Sequence, residues 1–197
     1  MRVEGTFDET SFQTYFGNEI APRLFAWVVP ESNSVARVGL GTMKSPQSYL
    51  NQFLKKNNWK VIDRQGGLIP LYDPKAVTEK GDTYLVGDAA TQVKATTLGG
   101  IIPGMKAAEC LAEAIDENKS YEKLWKKRVG RSLWLHLKIR KALDKFSDND
   151  WNNLVKGMDN NRAKNILQSY DREKPFKLFP TVLTNPRLLW LTRKAFV

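Results

Sequence analysis

The segment YLVGDAATQVKATTLGGIIPGMKAAE, residues 84–109, constrains this chain more than any other. An apolar run stops at Gly87-Asp88, small and polar residues follow, and Gly99-Gly100 opens a run with helical spacing. DTYLVGD reads as a strand ending at Gly87-Asp88, and residues 101–116 as a helix that accepts Pro103 in its first turn. Met105, Ala108, Ala112 and Ile115 form one apolar stripe of that helix. A helix N-terminus offers free N–H donors and the positive end of the helix dipole. Glycines there let a second molecule approach the backbone. A carboxylate closing the strand can accept hydrogen bonds from the hydroxyls of a ribose or ribityl chain. Asp88 and Gly100, twelve residues apart with small residues between, would therefore lie near one ligand. The same spacing also suits a plain strand–loop–helix connection in which Asp88 caps a turn, and the spacing alone leaves both readings open.

Upstream, RLFAWVVP (23–30) and SVARVGLGTM (34–43) are short runs of Val and aromatics, and they predict an antiparallel hairpin. In SPQSYLNQFLKKN, Ser45 is a candidate N-cap and Pro46 the first helical residue, with Tyr49, Leu50, Phe53 and Leu54 at helical spacing. WKVIDRQGGLIPLYDP predicts two short strands around Gly66-Gly67. Beyond Lys119 the chain reads as helical, punctuated by Pro175, Pro180 and Pro186. The predicted class is α+β: an antiparallel sheet, a strand–loop–helix segment, and a helical C-terminal region. The boundary falls at Gly81–Asp82, giving 1–81, 82–118 and 119–197.

Composition narrows the chemistry. A chain of 197 residues with 42% hydrophobic content can bury a sizeable core. One cysteine, Cys110, excludes an internal disulfide and the common multi-cysteine zinc sites, so no metal is expected. Cys110 reads as a small buried apolar residue. The single histidine, His136, sits in an amphipathic run with no Ser or Cys nucleophile at helical spacing, so it reads as a packed or surface residue. The net charge of +10 is uneven: residues 1–118 sum to −2 and residues 119–197 to +12. Such a basic region suits a solvated helical surface, an anionic lipid surface or nucleic acid, and the absence of a nucleic-acid motif places the last at the bottom. No stretch reads as a signal peptide or a membrane span, so the expected location is cytoplasmic, with peripheral membrane contact through the basic region. NPRLLWLTRKAFV (185–197) fits either a packed helix or a segment resting on lipid. Lys94 reads as solvated, with a phosphate contact as the alternative.

LVGDAATQVKATTLGGI resembles the second flavin-contacting motif of the geranylgeranyl reductase family, archaeal-type FAD-dependent reductases of isoprenoid lipids. The stretch 15–41, YFGNEIAPRLFAWVVPESNSVARVGLG, resembles the same family's Tyr-x-Trp-x-Phe-Pro element and the Val-Gly-Leu-Gly that follows it. GGLIPLYDP and DREKPFKL are also similar, so the resemblance covers essentially the whole chain. It implies that Asp88 contacts the ribityl or pyrophosphate of FAD, with Gly87 and Gly99 also at the cofactor, and that the Gly100–Ile101 backbone faces the flavin's pyrimidine edge. It implies also that Phe25, Trp27 and Pro30 line an isoprenoid pocket, where core packing is the alternative. Three residues depart from the pattern. Phe25 replaces Tyr, Val29 replaces Phe, and Leu98 stands where a glycine is common, which limits how closely the loop can approach a flavin.

No G-x-G-x-x-G occurs in the 197 residues, although the resemblance implies one in the family's N-terminal half. The chain is thus expected to be a C-terminal portion that does not retain FAD alone and works with an N-terminal FAD-binding half on a separate chain. The implied activity is reduction of isoprenoid double bonds of phospholipids by hydride transfer from reduced FAD, with no proton donor assigned. Two alternatives stand beside it: a truncated or split-gene, non-catalytic lipid- or partner-binding module, and a relative of the aromatic-ring FAD monooxygenases.

Overall fold

A computed structural model describes residues 1–161, 164, 165 and 168. DREKPFKL, the three C-terminal prolines and the 185–197 segment lie outside the described residues. The chain is α+β and divides into two compact units, residues 1–67 with 143–157, and residues 68–142 with the described residues from 158 onward.

The first unit is built on a five-stranded antiparallel sheet ordered β2-β3-β4-β1-β5. Its strands are β1 (Arg2–Glu4), β2 (Gln13–Tyr15), β3 (Ala26–Pro30), β4 (Val35–Leu40) and β5 (Lys60–Asp63). The predicted hairpin is β3–β4, with Val28 opposite Val38 and Trp27 opposite Gly39. Alternation along these strands sends Val3, Ala26, Val28, Ala36 and Val38 to one face, where all are buried. Helix α1 (Pro46–Asn57) adds Phe53 and Leu54 to that core, each contributing about 1.5–3 kcal/mol by burial. Ser45 stands at the N-cap without a side-chain bond, and Asn58 closes the helix in the left-handed conformation. Later in the chain, α5 (Asp148–Met158) starts on a reciprocal cap, where Ser147 N–H and Oγ–H donate to Asp150 Oδ2 at 2.8 and 2.7 Å.

The second unit carries a two-stranded ribbon, β6 (Glu79–Lys80) with β7 (Thr83–Tyr84), and then α2 (Ile101–Asp116), α3 (Tyr121–Trp125) and α4 (Arg131–Leu143). A five-residue π-helical segment, Lys126–Gly130, joins α3 to α4. The core sets Ala107, Cys110 and Ala114 of α2 against Tyr72, Tyr121, Trp125 and Leu133. Small residues on one helix admit large rings from the next, which is how native packing density is reached. Ser120 caps α3 by accepting from Lys123 N–H, and Glu79 Oε2 accepts from Ser120 Oγ–H and Glu122 N–H at 2.7 and 2.9 Å. Those donors hold the Glu79 carboxyl below its usual range, the Glu122 backbone N–H foremost.

Three expectations of secondary structure and burial change. Only Thr83–Tyr84 of DTYLVGD is strand, because its ribbon partner is two residues long, and Gly87–Ala90 is a 3₁₀ turn. WKVIDRQGGLIPLYDP holds one strand, β5, since Pro70 and Pro74 remove ladder donors and Tyr72 is buried against α3 instead. The buried face of α2 is Pro103, Ala107, Cys110 and Ala114, while Met105, Ala108, Ala112 and Ile115 are exposed. The helix is apolar on two faces, and the large aromatics of α3 select the one with smaller side chains. The division at Gly67–Leu68 lies ahead of the composition boundary at Gly81–Asp82, because Tyr72 and Thr78 bond and pack with α3.

Candidate functional site

The cofactor candidates of the second unit come together around one turn. Gly87 adopts φ +70°, a left-handed conformation that suits glycine, and turns the chain into the 3₁₀ segment bearing Asp88. Gln92, fully buried, fixes that turn through its side chain. Gly87 N–H donates to Gln92 Oε1 at 2.7 Å, Gln92 Nε2 donates to Tyr121 Oη at 2.9 Å, and Tyr121 Oη–H donates to the Leu85 carbonyl at 2.8 Å. Every polar atom of this small network has a partner, so burial rigidifies the turn rather than weakening it. Burial is also what pushes the Tyr121 phenol up, against the opposing Gln92 hydrogen bond.

The loop then closes on itself. Lys94 N–H donates to the Gly99 carbonyl at 3.0 Å, and Leu98 N–H to the Lys94 carbonyl at 2.8 Å. Leu98 holds φ +59°, so the residue standing where the family favours glycine sits where only glycine is unstrained. Thr96 Oγ1 lies 2.7 Å from His136 Nδ1, tying the loop to α4 and giving buried His136 a structural partner. Cys110 is fully buried, which pushes its thiol up and away from reactivity.

Asp88 and Gly100, twelve residues apart, are neighbours in space. A Cβ placed on Gly100 would lie 2.5 Å from Asp88 Oδ1 and 3.3 Å from Val93 Cγ2, so the glycine is what admits the carboxylate. Gly100 is also the N-cap of α2, and no side chain caps this helix. A Cβ on Gly104 would come within 3.2 Å of the Gly87 Cα, which places the first turn of α2 directly against the 3₁₀ turn. A carboxylate acceptor, uncapped helix donors and bare glycine backbone thus share one small surface. That combination can accept hydrogen bonds from hydroxyls and stabilise negative charge at the helix start.

The pocket candidates belong to the other unit. Phe25 and Trp27 project from the sheet face opposite the core, with ring centroids 5.9 Å apart. Trp27 lies flat across β4: a Cβ on Gly39 would sit 2.7 Å from Trp27 Cε2 and closer still to Cζ2. The Gly39 of the VGLG motif is therefore the seat of the Trp27 ring. Pro30, an odd number of residues from Trp27, takes the core-side face beside Ala36, and Val29 is the one that shares the outer face.

Residues 1–69, which contain this whole sheet, match the family model described as the geranylgeranyl reductase catalytic domain. The digeranylgeranylglycerophospholipid reductase 2 of Methanothermobacter thermautotrophicus is 33% identical over 176 residues, covering 81% of this chain and 46% of that protein. The chain belongs to the geranylgeranyl reductase family. A digeranylgeranylglycerophospholipid reductase of Methanothrix thermoacetophila matches further, at 29% identity over 94% of this chain and 51% of its own length. A solved structure of a geranylgeranyl bacteriochlorophyll reductase-like protein from Thermoplasma acidophilum superposes with a TM-score of 0.70 at 26% identity, covering 91% of this chain and 52% of that one. The chain spans about half the length of the curated relatives it matches.

Two features of this geranylgeranyl reductase relative escaped the sequence reading. Gln92 is a polar residue amid small ones, and only the burial of its side chain against Tyr121 distinguishes it from loop filler. Phe16 follows edge strand β2, whose three-residue length gave no period to read, though Thr14 opposite Trp27 fixes its face.

Proposed function

We propose that this chain is the C-terminal, substrate-binding portion of a geranylgeranyl reductase-like flavoprotein that reduces isoprenoid carbon–carbon double bonds of lipids. The observation that carries the reading is the match of the catalytic-domain model to the sheet whose outer face bears Phe25 and Trp27. The names of the relatives, reductases of a digeranylgeranyl glycerophospholipid, supply the substrate class. Bound FAD would supply the hydride. The cradle fits part of such a cofactor: a Cβ at Gly100 would fill it, and the uncapped start of α2 offers donors. In this reading Asp88 accepts hydrogen bonds from the cofactor's hydroxyls, Gly87 and Gly99 keep its approach open, and the N–H groups of Ile101 and Ile102 face its negative charge. Phe25, Trp27 and Val29 hold the isoprenoid chain.

The chain contains no G-x-G-x-x-G and spans about half the length of the relatives, so we assign the pyrophosphate-binding half to the part of the family fold that this sequence does not span, on this or another polypeptide. The exposed outer face of α2 supports such a partner. Ile101, Met105 and Ile115 there are 78%, 59% and 63% exposed, an apolar stripe on a helix already buried on its other side. Among the described residues no helix is long and apolar enough to cross a membrane, and the +12 charge of residues 119–197 suits contact with an anionic lipid surface. A second reading, a non-catalytic lipid-binding module, rests on the same missing glycine motif.

Flavin absorbance separates these readings. Purified alone, the chain should retain little FAD; mixed with the part of the Methanothermobacter relative that this chain does not match, it should retain FAD stoichiometrically. Asp88→Ala should lower that retention severalfold in the mixture. Flavin bound to the chain alone would remove the need for a partner half, and a flavin-free mixture would leave the non-catalytic module.

A further inference from the structure

The outer face of the five-stranded sheet extends well past Phe25 and Trp27. Thr14 of β2 stands opposite Trp27, and Phe16, just past the end of that strand, brings its ring to Phe25 on the same face. The rings form a row: Trp27 to Phe25 at 5.9 Å, Phe25 to Phe16 at 6.1 Å, and Phe16 stacked on Trp151 at 4.6 Å with an interplanar angle of 15°. Phe146 backs the far end, edge-on to Trp151 at 5.3 Å. One extended isoprene unit is about as long as one such step.

Exposure changes sharply across this face. Trp151 and Phe146 are each 6% exposed, whereas Phe16 is 36% exposed and Val29 40%. Phe16 is thus held from beneath and open above. Its backbone is pinned as well, since Asn18 N–H and Nδ2–H both donate to Asp148 Oδ1, at 2.7 and 3.0 Å, at the start of α5. A ring fixed in advance loses little side-chain entropy when a ligand covers it. An exposed aromatic that the fold has gone to such lengths to fix has a reason to be exposed.

Across β4 the same face turns polar and charged. Val29 stands opposite Arg37, Arg37 opposite Arg2, and Arg2 opposite Asp63, so two carboxylates balance the arginine pair; Glu31 bonds both guanidinium groups through Nε, at 2.6 Å. The terminal N–H groups of the pair suit a head that accepts hydrogen bonds, beside an aromatic row that suits an apolar chain.

We infer that Phe16, seated on Trp151, is a chain-length-determining contact on this face, which takes the isoprenoid chain of a lipid along Trp27, Phe25 and Phe16 with its hydrogen-bond-accepting head toward Arg37 and Arg2. The inference rests on the proposed isoprenoid function and adds the residues that measure the chain. Trp151 is a positioning residue that acts through Phe16.

Binding of geranylgeranyl phosphate and geranyl phosphate to the full chain, both below their aggregation concentrations, tests it. The unaltered chain should bind the longer probe more tightly. Phe16→Ala should weaken the longer probe about tenfold and the shorter less than about twofold. Trp27→Ala should weaken both, Trp151→Phe should keep the length preference, and Arg37→Gln should reduce the preference for geranylgeranyl phosphate over geranylgeraniol. A partly unfolded variant lowers both probes alike, so the ratio reports the contact and not the fold. If Trp27→Ala weakens binding while Phe16→Ala leaves the ratio unchanged, the length-setting role is wrong and the isoprenoid face stands. If the unaltered chain binds neither probe, or Trp27→Ala changes neither, the face itself is wrongly assigned and the inference falls with it.

Discussion

Each unit contains a glycine that makes room for a candidate site side chain, and the two differ in what they admit. Gly39 admits a rigid indole: Trp27 lies where any Cβ would be. Gly100 admits a carboxylate: Asp88 Oδ1 lies 2.5 Å from where its Cβ would be. An indole wedged over an extended strand has nowhere to retreat, because Phe25 flanks it and the ladder on either side fixes β3 and β4. A carboxylate on an exposed 3₁₀ turn can rotate about two bonds into solvent. The same absence of a side chain is therefore a packing requirement in one unit and, in the proposed flavin-binding role, an approach requirement in the other. Stability should report the first, and cofactor retention the second.

The largest effect is expected at the sheet. Gly39→Ala should cost about 2–3 kcal/mol, the scale of overpacking against a ring that cannot move aside. Chemical denaturation should show a lower midpoint, and tryptophan emission in the native baseline should shift to the red as Trp27 is displaced toward water. A midpoint unchanged from the unaltered chain would mean that the indole has an alternative seat, and the contrast with Gly100 would disappear.

Gly100→Ala should cost less, about 1 kcal/mol, because Asp88 can swing away. Its signature is coupling. In an Asp88→Ala background the added methyl meets no carboxylate, so the cost should shrink by about 0.5–1 kcal/mol in a double-mutant cycle. Additive losses would show that the Gly100 Cβ collides with Val93 rather than with Asp88. In the presence of the N-terminal half, Gly100→Ala should still reduce flavin retention even where stability is little changed.

These glycines also show what was legible in the residues and what was not. The hairpin was legible because Val28, Val38 and Ala26 alternate with outward residues, and a period of two admits one placement of the core. Helix α2 was legible in its bounds, Ile101 to Asp116, but its buried side was not. Met105, Ala108, Ala112 and Ile115 are as periodic as Pro103, Ala107, Cys110 and Ala114, and only the bulk of Tyr121 and Trp125 selects the second set. DTYLVGD has strand composition throughout, yet a strand exists only where a partner ladder does, and that ladder starts at Glu79, opposite Tyr84. The proximity of Asp88 to Gly100 was legible as spacing. The device that enforces it, a buried Gln92 linking Gly87 to Tyr121, depends on a contact between residues 29 apart in the chain and has no local signature.

The smallest predicted effect concerns Leu98, and it has the opposite sign. At φ +59° a Leu carries the steric penalty that the left-handed region imposes on any residue with a Cβ, about 1–2 kcal/mol. Leu98→Gly removes that penalty but adds back about 0.5–1 kcal/mol through the flexibility of glycine in the unfolded chain. The net change should be a stabilisation of up to about 1 kcal/mol, a rise in melting temperature of roughly 2–4 °C at most for a chain of this size. Destabilisation would mean that the half-buried Leu98 side chain contributes more packing than its backbone costs. Should flavin retention with the N-terminal half also improve, Leu98 would be a residue that trades approach for side-chain contact. The loop's glycine requirement would then be one of backbone conformation at 98, distinct from the clearance requirement at 100.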